Sequence, residues 1–459
     1  MKDIVMVLSD QHSFDASSLH SDGICETNNL SRIAQEGINY TNAYCNSPLC
    51  VPSRMSFLTG KLPSNTLIFD NDSALGSDIP TLAHALGARG YKTILVGRMH
   101  FKGIDQNHGF DERLVGDITS QYWGMKRPEL SIYADSLKMS GCQKIMGKGY
   151  SPVHEYDNMV YEEALKQLSK EHDQPIFMIV GFYGPHFPYI GVEDLYEKYL
   201  NKKSLDVDYS KAYEEYEYLV QETSTEKRKK IASAYYSMCE DLDNKVGKIY
   251  DTYKNYLSEK DGLFIYTSDH GDQLGKRGLF GKITFYQDSI KIPLIIKEMN
   301  IDKSSVREDP VSLIDLSRTI VDYANSHLPN MDGENILSNK KSKPVKIEQM
   351  HMTDNIYFGQ CVISNNYKLT KLKDSYKLID LANDSNEEID IKNNEIEIFK
   401  QLQENMIDDR NIIDYENKHL KEIEILKAWG NAKKPEQTSM VAFSEEALQI
   451  ERTLEIDKE

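Results

Sequence analysis

The sequence predicts an α/β protein: a large central mixed, mostly parallel sheet sandwiched by helices, followed by a smaller C-terminal α+β domain carrying an antiparallel sheet. Four short apolar runs, at residues 4–8, 94–97, 176–180 and 263–266, are continuous rather than alternating, as strands buried on both faces are. Amphipathic helical stretches separate them, at residues 28–36, 81–88, 157–172 and 226–256, so strand and helix alternate. Alternating segments at 367–372 and 376–381 then suggest a small antiparallel sheet late in the chain.

Each apolar run delivers ionisable residues just past its end. The first leads into Asp10 and Gln11, the second into Arg98 and His100, the third to His186, the fourth into Asp269 and His270. In an open α/β sheet the carboxyl ends of parallel strands share one edge, where ligands bind, so these residues predict one composite site. Residues 116–155 lack periodicity and read as an inserted loop region over that site. A strand at 292–296 and a helix at 311–324 follow. The polar, irregular stretch 329–343 sets the expected divisions: a main domain 1–340, a C-terminal subdomain 341–430 with a helix near 395–405, and a polar tail 431–459. A polar tail is expected to be mobile, or alternatively to pack on a neighbouring subunit of a homo-oligomer.

Composition narrows the partners. With 72 acidic and 54 basic residues the net charge is −18, which argues against nucleic acid and favours a small substrate. No run approaches the ~18 apolar residues of a membrane span, and residues 4–8 fall short of a secretory h-region, so a cytoplasmic chain with no membrane partner is expected. Six cysteines without a CxxC pair indicate neither a disulfide framework nor a thiolate zinc site.

One cysteine has a special setting. Pro52 suits a first helical turn and Gly60 a helix end, which places Cys50 at a helix N-terminus where free N–H groups favour anions, with Arg54 one turn along. Asp10 and Asp269 offer the hard oxygens that Ca²⁺ or Mg²⁺ prefers.

The string Cys50-Val51-Pro52-Ser53-Arg54, continuing to Leu58-Thr59-Gly60, matches the pattern C-x-P-S-R followed by L-T-G, and through it the chain resembles the type I sulfatases of the alkaline phosphatase superfamily. The resemblance implies the fold stated above and a sulfuric ester hydrolase. It also implies that a formylglycine-generating maturation enzyme oxidises Cys50 to Cα-formylglycine, whose hydrate is the nucleophile. It makes Asp10, Gln11, Asp269 and His270 the ligands of a divalent cation, calcium in most members, with magnesium the alternative. Gln11 stands where many members have aspartate and His270 where some have asparagine. Arg98 and Lys282 would hold sulfate, Arg98 in place of a lysine. Arg54 would be catalytic, His100 would be the base acting on the hydrate, and His186 would protonate the leaving alcohol.

Residues 97–118, with Asp70-Asn71 upstream, are similar to choline sulfatases, and Tyr122, Trp123 and Tyr133 could then face a quaternary ammonium or simply pack the loop. Sulfated sugars and aryl sulfates are the alternative substrates. Two other functions stay open: a phosphonate or phosphodiester hydrolase, and a protein that binds a sulfated ligand without turnover because Cys50 is never oxidised.

Overall fold

The computed structural model describes residues 1–459 apart from 20–23, 126, 128–129, 131–132, 134–140, 203–210, 259, 302–303, 339–342, 354–355, 439, 449–453 and 457–459. In chain order the strands are β1 (Asp3–Asp10), β2 (Ile38–Tyr44), β3 (Lys92–Gly97), β4 (Glu112–Leu114), β5 (Ile145–Lys148), β6 (Ile176–Pro185), β7 (Tyr189–Gly191) and β8 (Gly262–Ser268). They continue with β9 (Lys291–Glu298), β10 (Ser305–Arg307), β11 (Val311–Ser312), β12 (Val345–His351), β13 (Tyr357–Ser364), β14 (Tyr367–Leu372), β15 (Ser375–Asp380) and β16 (Leu454–Ile456).

The four apolar runs form the centre of one sheet of order β10-β2-β9-β8-β1-β6-β3-β4, with β11 also on β2. Strands β8, β1, β6 and β3 are mutually parallel, whereas β9 runs antiparallel to both β8 and β2. Alternation is missing from β1 because both faces are covered. Ile4, Met6 and Leu8 enter one apolar cluster, and Val5 and Val7 enter another on the opposite side. The Asn28–Glu36, Pro152–Leu168 and Thr225–Leu257 helices contribute to the second cluster, and the Cys50–Thr59, Leu82–Arg89 and Leu313–Tyr323 helices to the first.

The late antiparallel sheet is β12-β13-β14-β15, as expected from its alternation. It shares the first apolar cluster through Val345, Ile347, Cys361 and Leu372, so the main sheet and this one are joined by a continuous core. Buried polar contacts add to the join: Lys368 pairs with Glu387 and donates to Phe285 O at 2.7 Å, and Asn46 Nδ2 donates to Lys346 O at 2.9 Å.

One expectation needs correction. The Arg410–Lys433 helix was not foreseen; it is charged along most of its length and buries only Ile412, Glu416, Ile423 and Gly430. The described part of the tail packs on the main domain of its own chain. Thr438 N donates to Gln121 Oε1 at 3.0 Å, Val441 N to Asp117 O at 3.4 Å, and Ser444 N to Glu155, while β16 pairs with β5. Among the described residues no helix is long and apolar enough to cross a membrane.

Candidate active site

Strand ends and one helix start converge on a single edge. After β1 the backbone turns at Gln11, which has φ 70°, and after β3 it turns at His100, with φ 63°. Non-glycine residues in the left-handed region are uncommon and persist where surroundings over-determine them. Gly181 in β6 lets β3 come close: a Cβ there would lie 2.0 Å from Arg98 O, and Arg98 N donates to Gly181 O at 2.8 Å.

The Cys50–Thr59 helix begins at this edge, ends at Gly60 with φ 68°, and is buried at every position. Cys50 Sγ lies 3.2 Å from His270 Nε2, 3.2 Å from Lys282 Nζ and 3.7 Å from Asp10 Oδ1. Arg54 turns to the carboxylates, with Nε 2.8 Å from Asp269 Oδ2, Nη2 3.1 Å from Asp10 Oδ2 and Nη1 donating to Arg98 O at 3.1 Å. Its direct contacts hold the carboxylates, and none reaches the thiol.

Arg98 uses all three guanidinium nitrogens within the protein. Nε meets Asp10 Oδ2 at 2.5 Å, Nη1 meets Asp117 Oδ1 at 2.9 Å, and Nη2 donates to His100 Nδ1 at 2.9 Å. A lysine could not make this planar three-way connection. Sequence reasoning assigned no role to Asp117, whose Oδ2 also accepts from His100 N at 2.9 Å. Asp272 was missed as well. It accepts from Gln11 Nε2 at 2.6 Å, Tyr189 OH at 2.8 Å, Leu274 N at 2.7 Å and Gly281 N at 3.0 Å. Gln11 Oε1 is thereby aimed at Lys282 Nζ, 2.6 Å away. Its place two residues after His270 was the only sequence clue.

Eight of the ten expected residues, Asp10, Gln11, Cys50, Arg54, Arg98, Asp269, His270 and Lys282, thus form one connected cluster. His100 joins through Arg98. His186 packs between Tyr183 and Phe187, and Lys282 lies 5.1 Å over the Phe187 ring. Of the three aromatics, Tyr133 packs with Leu130, Ile145 and Ile190, Trp123 donates its indole N–H to Asp72 O at 2.5 Å, and Tyr122 meets Trp429 edge-on.

Charge and proton placement follow from these contacts. Burial would raise the Asp10 carboxyl, but the guanidinium groups of Arg98 and Arg54 override it and hold it well below the usual range. Burial, with Asp10 and Asp269 adding, pushes the Cys50 thiol up to about 11, so the thiol itself is a poor nucleophile. Burial, and then Arg98 for His100 and Lys282 for His186, hold both histidines well below 6.5 and neutral. An arginine can only donate, so His100 accepts at Nδ1 and carries its proton on Nε2. A carbonyl can only accept, so His186 donates from Nδ1 to Phe187 O at 2.7 Å and leaves Nε2 with a lone pair. His270 donates to Gly271 O at 3.0 Å in the same way.

That tautomer makes His270 ligand-ready. Its Nε2 lies 3.8 Å from Asp10 Oδ1 and 3.6 Å from Asp269 Oδ1, and ligand atoms of Asp10, Cys50, Asp269 and His270 all lie within 4.8 Å of one another. Two carboxylate oxygens and an imidazole lone pair gathered within 4.8 Å of one another fit a divalent cation, while Gln11 Oε1 accepts from Lys282 Nζ and its backbone N–H donates to Asp269 Oδ1.

The profile of the family described as Sulfatase matches residues 2–326. The chain belongs to the sulfatase family. The description N-sulphoglucosamine sulphohydrolase, C-terminal, fits residues 275–412. The sulfatase is 33% identical over 352 residues to a choline-sulfatase of Rhizobium meliloti (strain 1021), covering 70% of this chain and 68% of that one. Its fold is similar to that of the phosphonate monoester hydrolase of Agrobacterium radiobacter, with a TM-score of 0.70 at 18% identity over 93% of this chain and 96% of that chain. It is also similar to a protein solved with its substrate D-glucosamine-2-N,6-O-disulfate, with a TM-score of 0.69 at 19% identity over 92% and 98% of the two chains. The chain is therefore a sulfuric ester hydrolase.

The tail bears on this site. Asp117, which holds Arg98 and His100, is bridged by Met440 and Val441, and Arg127 Nη1 donates to Ile118 O at 2.9 Å while its Nη2 reaches Val441 O. Deleting residues 435–459 is expected to lower kcat about tenfold through a loosened Asp117, since small misplacements are costly in a positioned site. Sulfate-release kinetics beside a thermal unfolding curve check this; an unchanged kcat would mean that the tail is only a cover.

Proposed function

We propose that this sulfatase cleaves the sulfate monoester of a small alcohol using a Cα-formylglycine matured from Cys50 and a divalent cation held by Asp10, Gln11, Asp269 and His270. The observation that carries the reading is the setting of Cys50, a protonated thiol at a buried helix N-terminus, in contact with Lys282 and His270. An unmodified thiol with that environment cannot act, whereas an aldehyde hydrate in its place supplies hydroxyl groups. A bound cation would draw charge from the sulfate oxygens.

The chain's own groups do the rest. Lys282, beside Cys50, faces the incoming anion with its ammonium although the whole chain is acidic, while Arg98 is held by Asp10 and Asp117 and sets His100. His186, with its Nε2 lone pair, is set to accept a proton, and His100, with its Nε2–H, is set to donate one. In the resting arrangement this is the reverse of the roles expected from the sequence resemblance. The cause is Arg98, whose Nη2 occupies His100 Nδ1. On this reading a formylglycine-generating enzyme is the maturation partner, calcium or magnesium is the metal, and choline-O-sulfate and sulfated sugars are the leading substrates.

The test is sulfate release by protein co-produced with a formylglycine-generating enzyme, on choline-O-sulfate, an aryl sulfate, sulfated sugars and matched phosphate esters. Sulfate esters are expected to exceed phosphate esters at least about a hundredfold in kcat/KM, roughly 2.7 kcal/mol of transition-state discrimination, with activity lost to a chelator. Faster phosphate turnover would overturn the reading. Ligand binding without turnover, with mass spectrometry showing formylglycine at position 50, would overturn it too.

A further inference from the structure

The strand that carries His186 leaves the sheet before it reaches that residue. β6 pairs with β3 as far as Gly97 and Gly181, and with β1 at Leu8 and Gly181 and again at Asp10 and Pro185. One residue of β1 separates Leu8 from Asp10, whereas three residues of β6, Phe182 to Gly184, separate their partners, so β6 bulges out of the ladder there. A bulge beside a site re-aims the residues that follow it, and it strands backbone donors that need acceptors elsewhere.

One side chain takes those donors. Asp157, buried on the Pro152–Leu168 helix, accepts from Tyr183 N through Oδ1 at 2.8 Å and from Gly184 N through Oδ2 at 2.8 Å. Glycine at 184 lets the carboxylate come this near, since a Cβ there would lie 2.6 Å from Asp157 Oδ2. Burial pushes the Asp157 carboxyl up to about 7, and its charged neighbours on the Thr225–Leu257 helix, Lys245 and Asp241, pair with each other. The two N–H groups are thus what the carboxylate holds directly. Outward from them the bulge sets His186. Tyr183 O accepts from His186 N at 3.1 Å, the Tyr183 ring lies 4.7 Å from the imidazole, and Tyr183 OH donates at 3.2 Å to Phe187 O, the carbonyl that also takes His186 Nδ1–H.

We propose that Asp157 is a positioning residue of the reaction: by clamping the N–H groups of Tyr183 and Gly184 it fixes the bulge that holds the His186 ring in the site. This rests on the reading that His186 accepts a proton during sulfate ester hydrolysis, and adds the group that keeps it in place. Asp157 acts through backbone.

The experiment is a double-substitution cycle on the matured protein, with kcat and KM for the sulfate ester that turns over fastest, inhibition by inorganic sulfate, and a thermal unfolding curve for each variant. Asp157→Asn keeps one acceptor oxygen and turns an NH₂ group toward the other backbone N–H. It is expected to lower kcat about thirtyfold, the scale of a misplaced reacting group, while the inhibition constant of sulfate stays within about twofold because Lys282 is untouched. His186→Gln should lower kcat as well, and adding Asp157→Asn to it should change kcat by no more than about twofold, because both act through one ring. Gly184→Ala displaces the carboxylate from the opposite side; it should reproduce the kcat loss, and it decides the matter if Asp157→Asn does not fold. A kcat within about twofold of the parent in the folded variants, or losses from Asp157→Asn and His186→Gln that multiply in the double variant, overturns the positioning role. If His186→Gln alone leaves kcat unchanged, the proton-accepting reading of His186 has failed first and the positioning role falls with it.

Discussion

Cys50→Ala is expected to abolish sulfate release, with kcat down by at least about four orders of magnitude, the scale on which enzymes lose a covalent nucleophile. The substitution should leave the fold intact. Alanine is a good helix former, the neighbouring Val51, Met55 and Leu58 retain their buried contacts, and the lost atom is a single sulfur facing a polar cluster. Melting temperatures within a few degrees of the parent, measured beside sulfate release, separate loss of chemistry from loss of structure. A variant retaining even a tenth of parental activity would place the nucleophile elsewhere, and no other buried cysteine has this setting of ammonium, imidazole and carboxylate.

Arg54→Met has the largest expected effect on stability. It keeps the length and much of the volume of the side chain while leaving Asp10 and Asp269, both fully buried, without the cation that bridges them. Removing one partner from a buried pair costs about 3–5 kcal/mol because the remaining charge stays desolvated. Denaturant unfolding in the presence of a chelator measures this. A divalent cation should return part of it, about 2.7 kcal/mol at a hundred times its Kd, because it binds only the folded carboxylates. The acid limb shifts as well. Asp10 is held well below its ordinary value in the folded chain, so it contributes stability above the usual carboxylate range that is lost as pH falls. With Arg54 gone that depression weakens, and acid unfolding should begin at higher pH. Equal stability of variant and parent under chelation would show that Arg98 and Lys282 alone neutralise the pair.

Legibility in the sequence tracked burial. Strands β1, β3, β6 and β8 could be read because a strand covered on both faces must be a run of apolar residues, and their ends brought Asp10, Arg98, His186 and Asp269 to one edge. The Arg410–Lys433 helix could not, because its contact face is four widely spaced residues and one of them, Glu416, is an acid. Asp117 and Asp272 escaped for a related reason. Their work is done through hydrogen bonds to other site residues, which leave no periodicity behind. The proton positions of His100 and His186 were likewise invisible, since they depend on an arginine and a carbonyl that only the fold brings near.

The burial of all ten residues from Cys50 to Thr59 carries a consequence in time. An enzyme that must read Cys50, Pro52 and Arg54 side by side cannot find them in the finished molecule, where the helix is sealed under the sheet edge and Arg54 is locked between two aspartates. If Cys50 is oxidised as proposed, that step has to win a race against folding. Each chain would then get one opportunity while it is still extended, and those that fold first would stay silent. The active fraction of a preparation would report how quickly the oxidising enzyme met the nascent chain.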